Sequence, residues 1–143
     1  MHVIDTNVAS ELMRPAPNPA VAAWIAERDA TEMYLTAVSE AELRFGVAIL
    51  PAGKRRNAVE VAMRRWLDLG FVERILPFNS GAARAYAEIA AARRQAGRPI
   101  GEADCQIAAI VRSCGAVLVT RNVRDFEGTG VEVLDPWAES PAT

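Results

Sequence analysis

Short apolar runs alternate with helical stretches along this chain, and no other feature restricts its fold as much. Val3-Ile4, "MYLT" (33–36), "RILPF" (74–78) and "AVLVT" (116–120) read as strands, with "VEVL" (131–134) as a short last one. They are apolar on both faces, as strands buried within a parallel sheet are. The intervening stretches carry helix signals. One helix follows Asp5 to about Met13 and stops before Pro15. The next has Asn18 as its N-cap and Pro19 at its first position, with Val21, Trp24 and Ile25 on one face. Ser39 opens a third, ending near Leu50 before Pro51. "KRRNAVEVAMRRWLDLG" (54–70) aligns Val59, Met63, Trp66 and Leu67 and stops at Gly70. Ser80 caps an alanine-rich helix to about Ala96, and residues 101–113 form another, closed by Gly115. No repeat or linker divides the chain. The expected fold is one α/β domain over residues 1–143, a central, mostly parallel sheet with helices on both sides. In such sheets functional sites form outside the carboxyl ends of the strands, where Asp5 and Thr120 lie.

The charge balance narrows the functional classes. With 16 Lys and Arg against 18 Asp and Glu, the net charge is −2. Any nucleic-acid contact must therefore use local patches rather than an overall basic field. Lys54-Arg55-Arg56, Arg64-Arg65, Arg93-Arg94 and Arg121 with Arg124 are such patches, and each reads equally well as a solvated helix face. The N-terminus lacks the basic and apolar regions of a signal peptide, and no apolar run approaches the roughly 18 residues of a membrane span. Cys105 and Cys114 fall on one helix, about 13 Å apart at a rise of about 1.5 Å per residue, too far for a disulfide. Both read as packing residues, and a reducing cytoplasm fits.

Histidine excludes more. The single one, His2, stands at the start of the first strand, about 10 Å from its carboxyl end, and reads as a surface or edge residue. Ser-His-Asp triads, histidine-based ribonucleases and His-rich zinc sites all lose their central group. Neither GxGxxG nor GxxxxGK[ST] occurs, so dinucleotide and P-loop sites are absent too.

Carboxylates remain. Asp104 in "GEADCQIAAIV" aligns with Ile107, Ala108 and Val111 on the apolar stripe of its helix, where a lone carboxylate is costly unless paired, hydrogen-bonded or bound to a metal. The alternative is a first-turn residue favoured by the helix dipole. Glu42 in "TAVSEAELRFGV" aligns with Phe45, Gly46 and Ile49. It also fits the last position of a capping box begun by Ser39. Gly46, unfavourable inside a helix, leaves room for something to approach closely. Asn122 and Asp125 follow the strand ending at Thr120, and Asp5-Thr6-Asn7 follow the first strand. Each of these groups reads equally as turn or cap chemistry. Together they set acids at two strand ends and on the inward faces of two helices. Their mutual repulsion raises their pKa values unless a cation shares the pocket. Mg²⁺ or Mn²⁺ suits such oxygen donors, Mg²⁺ taking one or two carboxylates and keeping several waters for phosphate to replace.

The chain resembles PIN-domain ribonucleases, specifically the VapC/FitB-type toxins of bacterial toxin–antitoxin pairs. "VIDTNVASEL", "TAVSEAELRFGV", "ADCQIAAI", "LVTRNVRDF" and "VLDPW" carry the resemblance, in family order and spacing over essentially the whole chain. It implies a Rossmann-like α/β/α sandwich and cleavage of RNA dependent on Mg²⁺ or Mn²⁺. By motif position Asp5 and Asp104 take the role of direct metal ligands. Glu42 and Asp125 complete the catalytic acids, and Thr6 and Thr120 line the site. Asn122 stands where many relatives have aspartate, which removes a charge and leaves open whether one metal or two are held. The implied chemistry is in-line attack by water, leaving 5′-phosphate and 3′-hydroxyl ends, with Arg121 and Arg124 among the candidates for holding the RNA backbone. The implied partners are a second copy of the chain and a VapB/FitA-like antitoxin that lies across the helices and inserts an arginine among the acids. DNA enters only through that antitoxin, and no membrane is involved.

Two other readings stand beside this one. A non-catalytic PIN module would bind RNA or a protein and hold only a structural metal ion. A phosphoacceptor receiver domain would need an adjacent acidic pair after the first strand and a late lysine. Here Thr6 follows Asp5, and Lys54 is the one lysine.

Overall fold

The structure, a computed structural model, describes residues 1–138. In chain order it comprises β1 (His2–Ile4), α1 (Thr6–Leu12), α2 (Pro19–Ala26), β2 (Met33–Thr36), α3 (Ala37–Ala48) and α4 (Lys54–Gly70). There follow β3 (Ile75–Leu76), α5 (Ser80–Gln95), α6 (Glu102–Ser113), β4 (Val117–Val119) and β5 (Glu132–Leu134), with 3-10 turns at Ala30–Glu32 and Val123–Phe126. All four strand pairings are parallel, in the order β3-β2-β1-β4-β5. This is the expected α/β/α sandwich.

The two-residue period of a strand sorts its side chains between two cores. Val3 and Leu118 face α5 and α6, among Ala82, Ile89, Ile107 and Ile110. Ile4, Leu35 and Val119 face α1 to α4, among Val8, Trp24, Leu43, Met63 and Leu67. The chain moves outward from β1 to β2 and β3, then crosses back to β4 on the other side of β1. That reversal opens a crevice at the carboxyl ends of β1 and β4. Ile4 pairs with Val119, so Asp5 and Thr120 emerge side by side.

Several expected boundaries shift for identifiable reasons. Asn18 does cap α2, accepting from Ala20 N at 2.9 Å, ahead of Pro19. Gly115 closes α6 at φ 63, with Gly115 N donating to Arg112 O at 3.1 Å and Ala116 N to Val111 O at 3.2 Å, a Schellman ending. Ser39, however, does not open α3. Thr36 caps it, accepting from Ser39 N at 3.0 Å, so the helix begins directly off the strand. Asn79 rather than Ser80 caps α5, accepting from Ala82 N at 3.0 Å. β3 is two residues instead of five, because Pro77 has no N–H for the ladder. Cys105 packs as expected, fully buried, but Cys114 ends α6 exposed to solvent. His2 is half-buried, its ring edge-on to Trp24 with centroids 5.4 Å apart. Among the described residues, no helix is long and apolar enough to cross a membrane.

Leu118, at the centre of β4 and fully buried, tests this packing. Leu118→Ala is expected to lower stability by about 2–5 kcal/mol. Urea unfolding checks it, and a loss below about 1 kcal/mol would mean that Leu118 is not packed in the core.

Candidate active site

Asp5 leaves the central strand and at once caps α1, its Oδ1 accepting from Thr6 N at 2.7 Å. Its Oδ2 accepts from Thr120 Oγ1 at 2.7 Å and from Asn7 Nδ2 at 3.4 Å. Asp5 is only 5% exposed. Thr120, fully buried, links both strand ends by also accepting from Asn7 Nδ2 and Asn122 N, each at 3.1 Å. Asn7 Oδ1 in turn accepts from Arg121 N at 3.2 Å. The cap reading of Asp5-Thr6-Asn7 needs correction in one respect: neither Thr6 nor Asn7 caps the helix, and Asp5 does. Capping does not exhaust Asp5, whose second oxygen is held by side chains following both strands.

Glu42 joins from α3. Thr6 Oγ1 lies 2.9 Å from both Glu42 Oε1 and Ser39 Oγ. The hydroxyl has one proton, and the carboxylate has none to give, so Thr6 donates to Glu42 and accepts from Ser39. Glu42 is not part of a capping box, since Ser39 lies inside α3. Nor is its helical stripe inward. Phe45 and Ile49 are 65% and 64% exposed, and the buried face is Ser39, Leu43 and Val47. Glu42 is itself exposed, at the mouth of a groove of about 540 Å³ between α1, α3 and α4. Gly46 lines that groove, and a Cβ placed there would meet nothing within 4 Å. The space beside Gly46 is open, not filled by the chain's own packing.

Asp104 sits in the first turn of α6, half-buried, so both sequence readings hold at once: apolar stripe and helix N-terminus. Asp125 is exposed on the 3-10 turn after β4, its N–H bonded to Asn122 O at 3.1 Å. Asn122 is exposed and makes no side-chain cap, so it shapes this turn through its backbone. Arg121 and Arg124 flank it, both exposed, with the Arg121 guanidinium 5.0 Å from the centre of the Trp137 ring.

Electrostatics ties these groups into one pocket. Burial pushes the Asp5 carboxyl above its ordinary range, and the charges of Glu42 and Asp125 push it further, against hydrogen bonds from Thr120 and Thr6. Asp104 is raised by burial and then by the charges of Asp5 and Asp125, with Arg93 opposing. Asp5 thus feels the charges of Glu42 and Asp125, and Asp104 those of Asp5 and Asp125. Among the described residues, no Lys or Arg forms a salt bridge with any of the four. Nor do three His, Cys, Asp or Glu side chains converge closely enough to hold a metal ion by themselves. The donor set fits a hard cation bound through one or two carboxylates and otherwise through water, the habit of Mg²⁺. Asn7 and Ser39 join the network as well, although in the sequence Asn7 reads only as a possible cap and Ser39 only as a helix start.

Comparisons with known proteins identify the family. Residues 2–131 match the PIN domain. The chain is 41% identical over 137 residues to the VapC ribonuclease Y4jK of Sinorhizobium fredii, covering 96% of this chain and 98% of that one. It is 38% identical over 137 residues to the toxin FitB of Neisseria gonorrhoeae, covering 96% and 99%. A solved structure of FitAB bound to a DNA fragment aligns with a TM-score of 0.91 at 37% identity, covering 98% of each chain. With the acids at the strand ends and this likeness along nearly the full length, the chain belongs to the PIN-domain family, among its VapC/FitB ribonuclease toxins.

Proposed function

We propose that this chain is a metal-dependent endoribonuclease and the toxin of a toxin–antitoxin pair. The observation that carries this is the set of four carboxylates from separate segments, with Asp5 and Asp104 raised in pKa and, among the described residues, no basic side chain in a salt bridge with them. In this reading Asp5 and Asp104 hold Mg²⁺ or Mn²⁺, which when bound stabilises phosphate charge and lowers the pKa of water. Thr120 and the Thr6 N–H fix the Asp5 carboxylate, and Thr6 does the same for Glu42. Glu42 and Asp125, both exposed, orient water and receive its proton, while Asn122 adds a neutral oxygen. Arg121 and Arg124 contact the RNA backbone, which steers the substrate without reading its bases. A cognate antitoxin occupies the groove beside Glu42, with an arginine reaching the acids, and a second copy completes a homodimer in the reducing cytoplasm. Carboxylates accept a guanidinium well, which explains how one side chain could silence the site.

Cleavage of end-labelled RNA by antitoxin-free protein tests the reaction. Cutting is expected with Mg²⁺ or Mn²⁺, to stop in EDTA, and to fall more than about 100-fold in Asp5→Asn. The new ends are expected to be 5′-phosphate and 3′-hydroxyl. Ends bearing 2′,3′-cyclic phosphate would refute attack by water, and activity that survives both EDTA and the substitution would remove Asp5 and the metal from the mechanism. Binding without any cutting would favour the non-catalytic RNA-binding module.

Stability supplies an independent check. A carboxyl whose pKa is raised on folding holds its proton more tightly in the folded chain. Its contribution is therefore full below the ordinary value of 3.8 and is lost as pH rises through the raised value. Asparagine keeps the helix cap and removes the charge. In EDTA at pH 7, Asp5→Asn is thus expected to melt above the parent protein, with the gap closing as the pH approaches 4. Thermal unfolding followed by circular dichroism measures this. A variant that melts lower at pH 7 would show that the Asp5 charge is not a source of strain.

Expression of the chain alone in a bacterial host is expected to arrest growth, and co-expression of its antitoxin to restore it. Unimpaired growth at verified high expression would contradict the toxin assignment in that host.

A further inference from the structure

We propose that Arg93 is a positioning residue of the acidic site: it fixes the turn that carries Asp125. The inference rests on Asp125 belonging to the ribonuclease centre. In the sequence Arg93 and Arg94 form one of several basic pairs that could equally face solvent. The structure separates them. Arg94 is exposed, whereas Arg93 is only 8% exposed.

A buried guanidinium needs acceptors for its donors. Arg93 finds three, all backbone carbonyls. Nε donates to Arg98 O at 2.6 Å, and Nη1 donates to Asp125 O and Glu127 O, each at 2.9 Å. One side chain thus joins the exit of α5 to the turn after β4. The surrounding contacts hold the same junction. Arg98 N donates to Arg93 O at 2.9 Å, and Arg98 Nη1 lies 3.1 Å from Glu127 Oε2. Gly128, at φ 75, lets the chain turn past Arg93, where a Cβ would stand 3.5 Å from its Cδ.

Among the described residues Arg93 makes no ion pair. Its hydrogen bonds run to carbonyls, so it stays beside the pocket instead of swinging in to neutralise it. Lysine carries the same charge, but its ammonium is a point donor without the planar fork that spans carbonyls from two segments.

The test combines cleavage kinetics with hydrogen exchange on purified, full-length, antitoxin-free protein. Arg93→Met is expected to lower kcat about 10- to 100-fold, and Arg93→Lys to recover part of the loss. KM is expected to stay within about twofold, which separates positioning from RNA binding. Amides in residues 122–128 are expected to exchange faster in Arg93→Met than in the parent protein. If Arg93 acts through Asp125, the double variant with Asp125→Asn is expected to be no slower than Asp125→Asn alone, within about twofold. Losses that multiply in the double variant, or unchanged exchange at 122–128, would overturn the proposal. Should Arg93→Met fail to fold, Arg93→Lys and Arg93→Gln carry the same readouts. If the parent protein cuts no RNA, the ribonuclease assignment falls, and the exchange measurement alone still decides whether Arg93 fixes the turn.

Discussion

Asp5 is almost wholly withdrawn from water at the end of the central strand, and the rest of the site is organised around holding its carboxyl there. Burial and the neighbouring carboxylates both work against its charge. Two short hydrogen bonds, from Thr120 and from the first N–H of α1, work for it. The strand supplies rigidity and the helix supplies an N-terminus, so a single carboxylate is at once a cap and a functional group. A residue with both roles resists replacement, because Asn preserves the cap but not the charge, and Ala preserves neither.

The same geometry explains why the acids come from distant parts of the chain. A parallel sheet brings the carboxyl end of every strand to one edge, and the crossover from β3 to β4 leaves a crevice beside β1. Residues after β1, midway along α3, at the start of α6 and after β4 can all approach it. No local segment could gather four carboxylates in this way without repelling itself apart. The helices and the two apolar cores oppose that repulsion, and a bound cation would relieve it. Strain of this kind is common where function needs like charges together.

Much of this was legible in the residues. Pro15, Pro51, Gly115 and the Asn18-Pro19 pair mark helix ends by local backbone chemistry, and the structure uses them as expected. The apolar strands announce a parallel sheet because both of their faces must be covered. Asp104 stood out because its helical period set it among Ile107, Ala108 and Val111, all buried. The reading of Glu42 went astray for a related reason. Periodicity finds an apolar stripe, but it cannot tell a stripe turned to the core from one left in solvent, as Phe45 and Ile49 are. Ser39 and Ser80 were misplaced because several capping residues stand close together, and which one caps depends on where the strand or loop before it ends.

Arg93 marks the boundary between the two kinds of information. By itself the sequence determined the fold class and the family likeness and singled out the candidate acids, because local periodicity, turn chemistry and motif order survive in one dimension. It could not separate Arg93 from Arg94, or show that Thr6 bridges Glu42 and Ser39. Those depend on contacts across 36 residues or fewer in the Thr6 network and 32 to 34 in the Arg93 clamp. Only the tertiary structure decides such pairs, since a side chain's partner and its burial are set by which segments the sheet and its crossovers bring together.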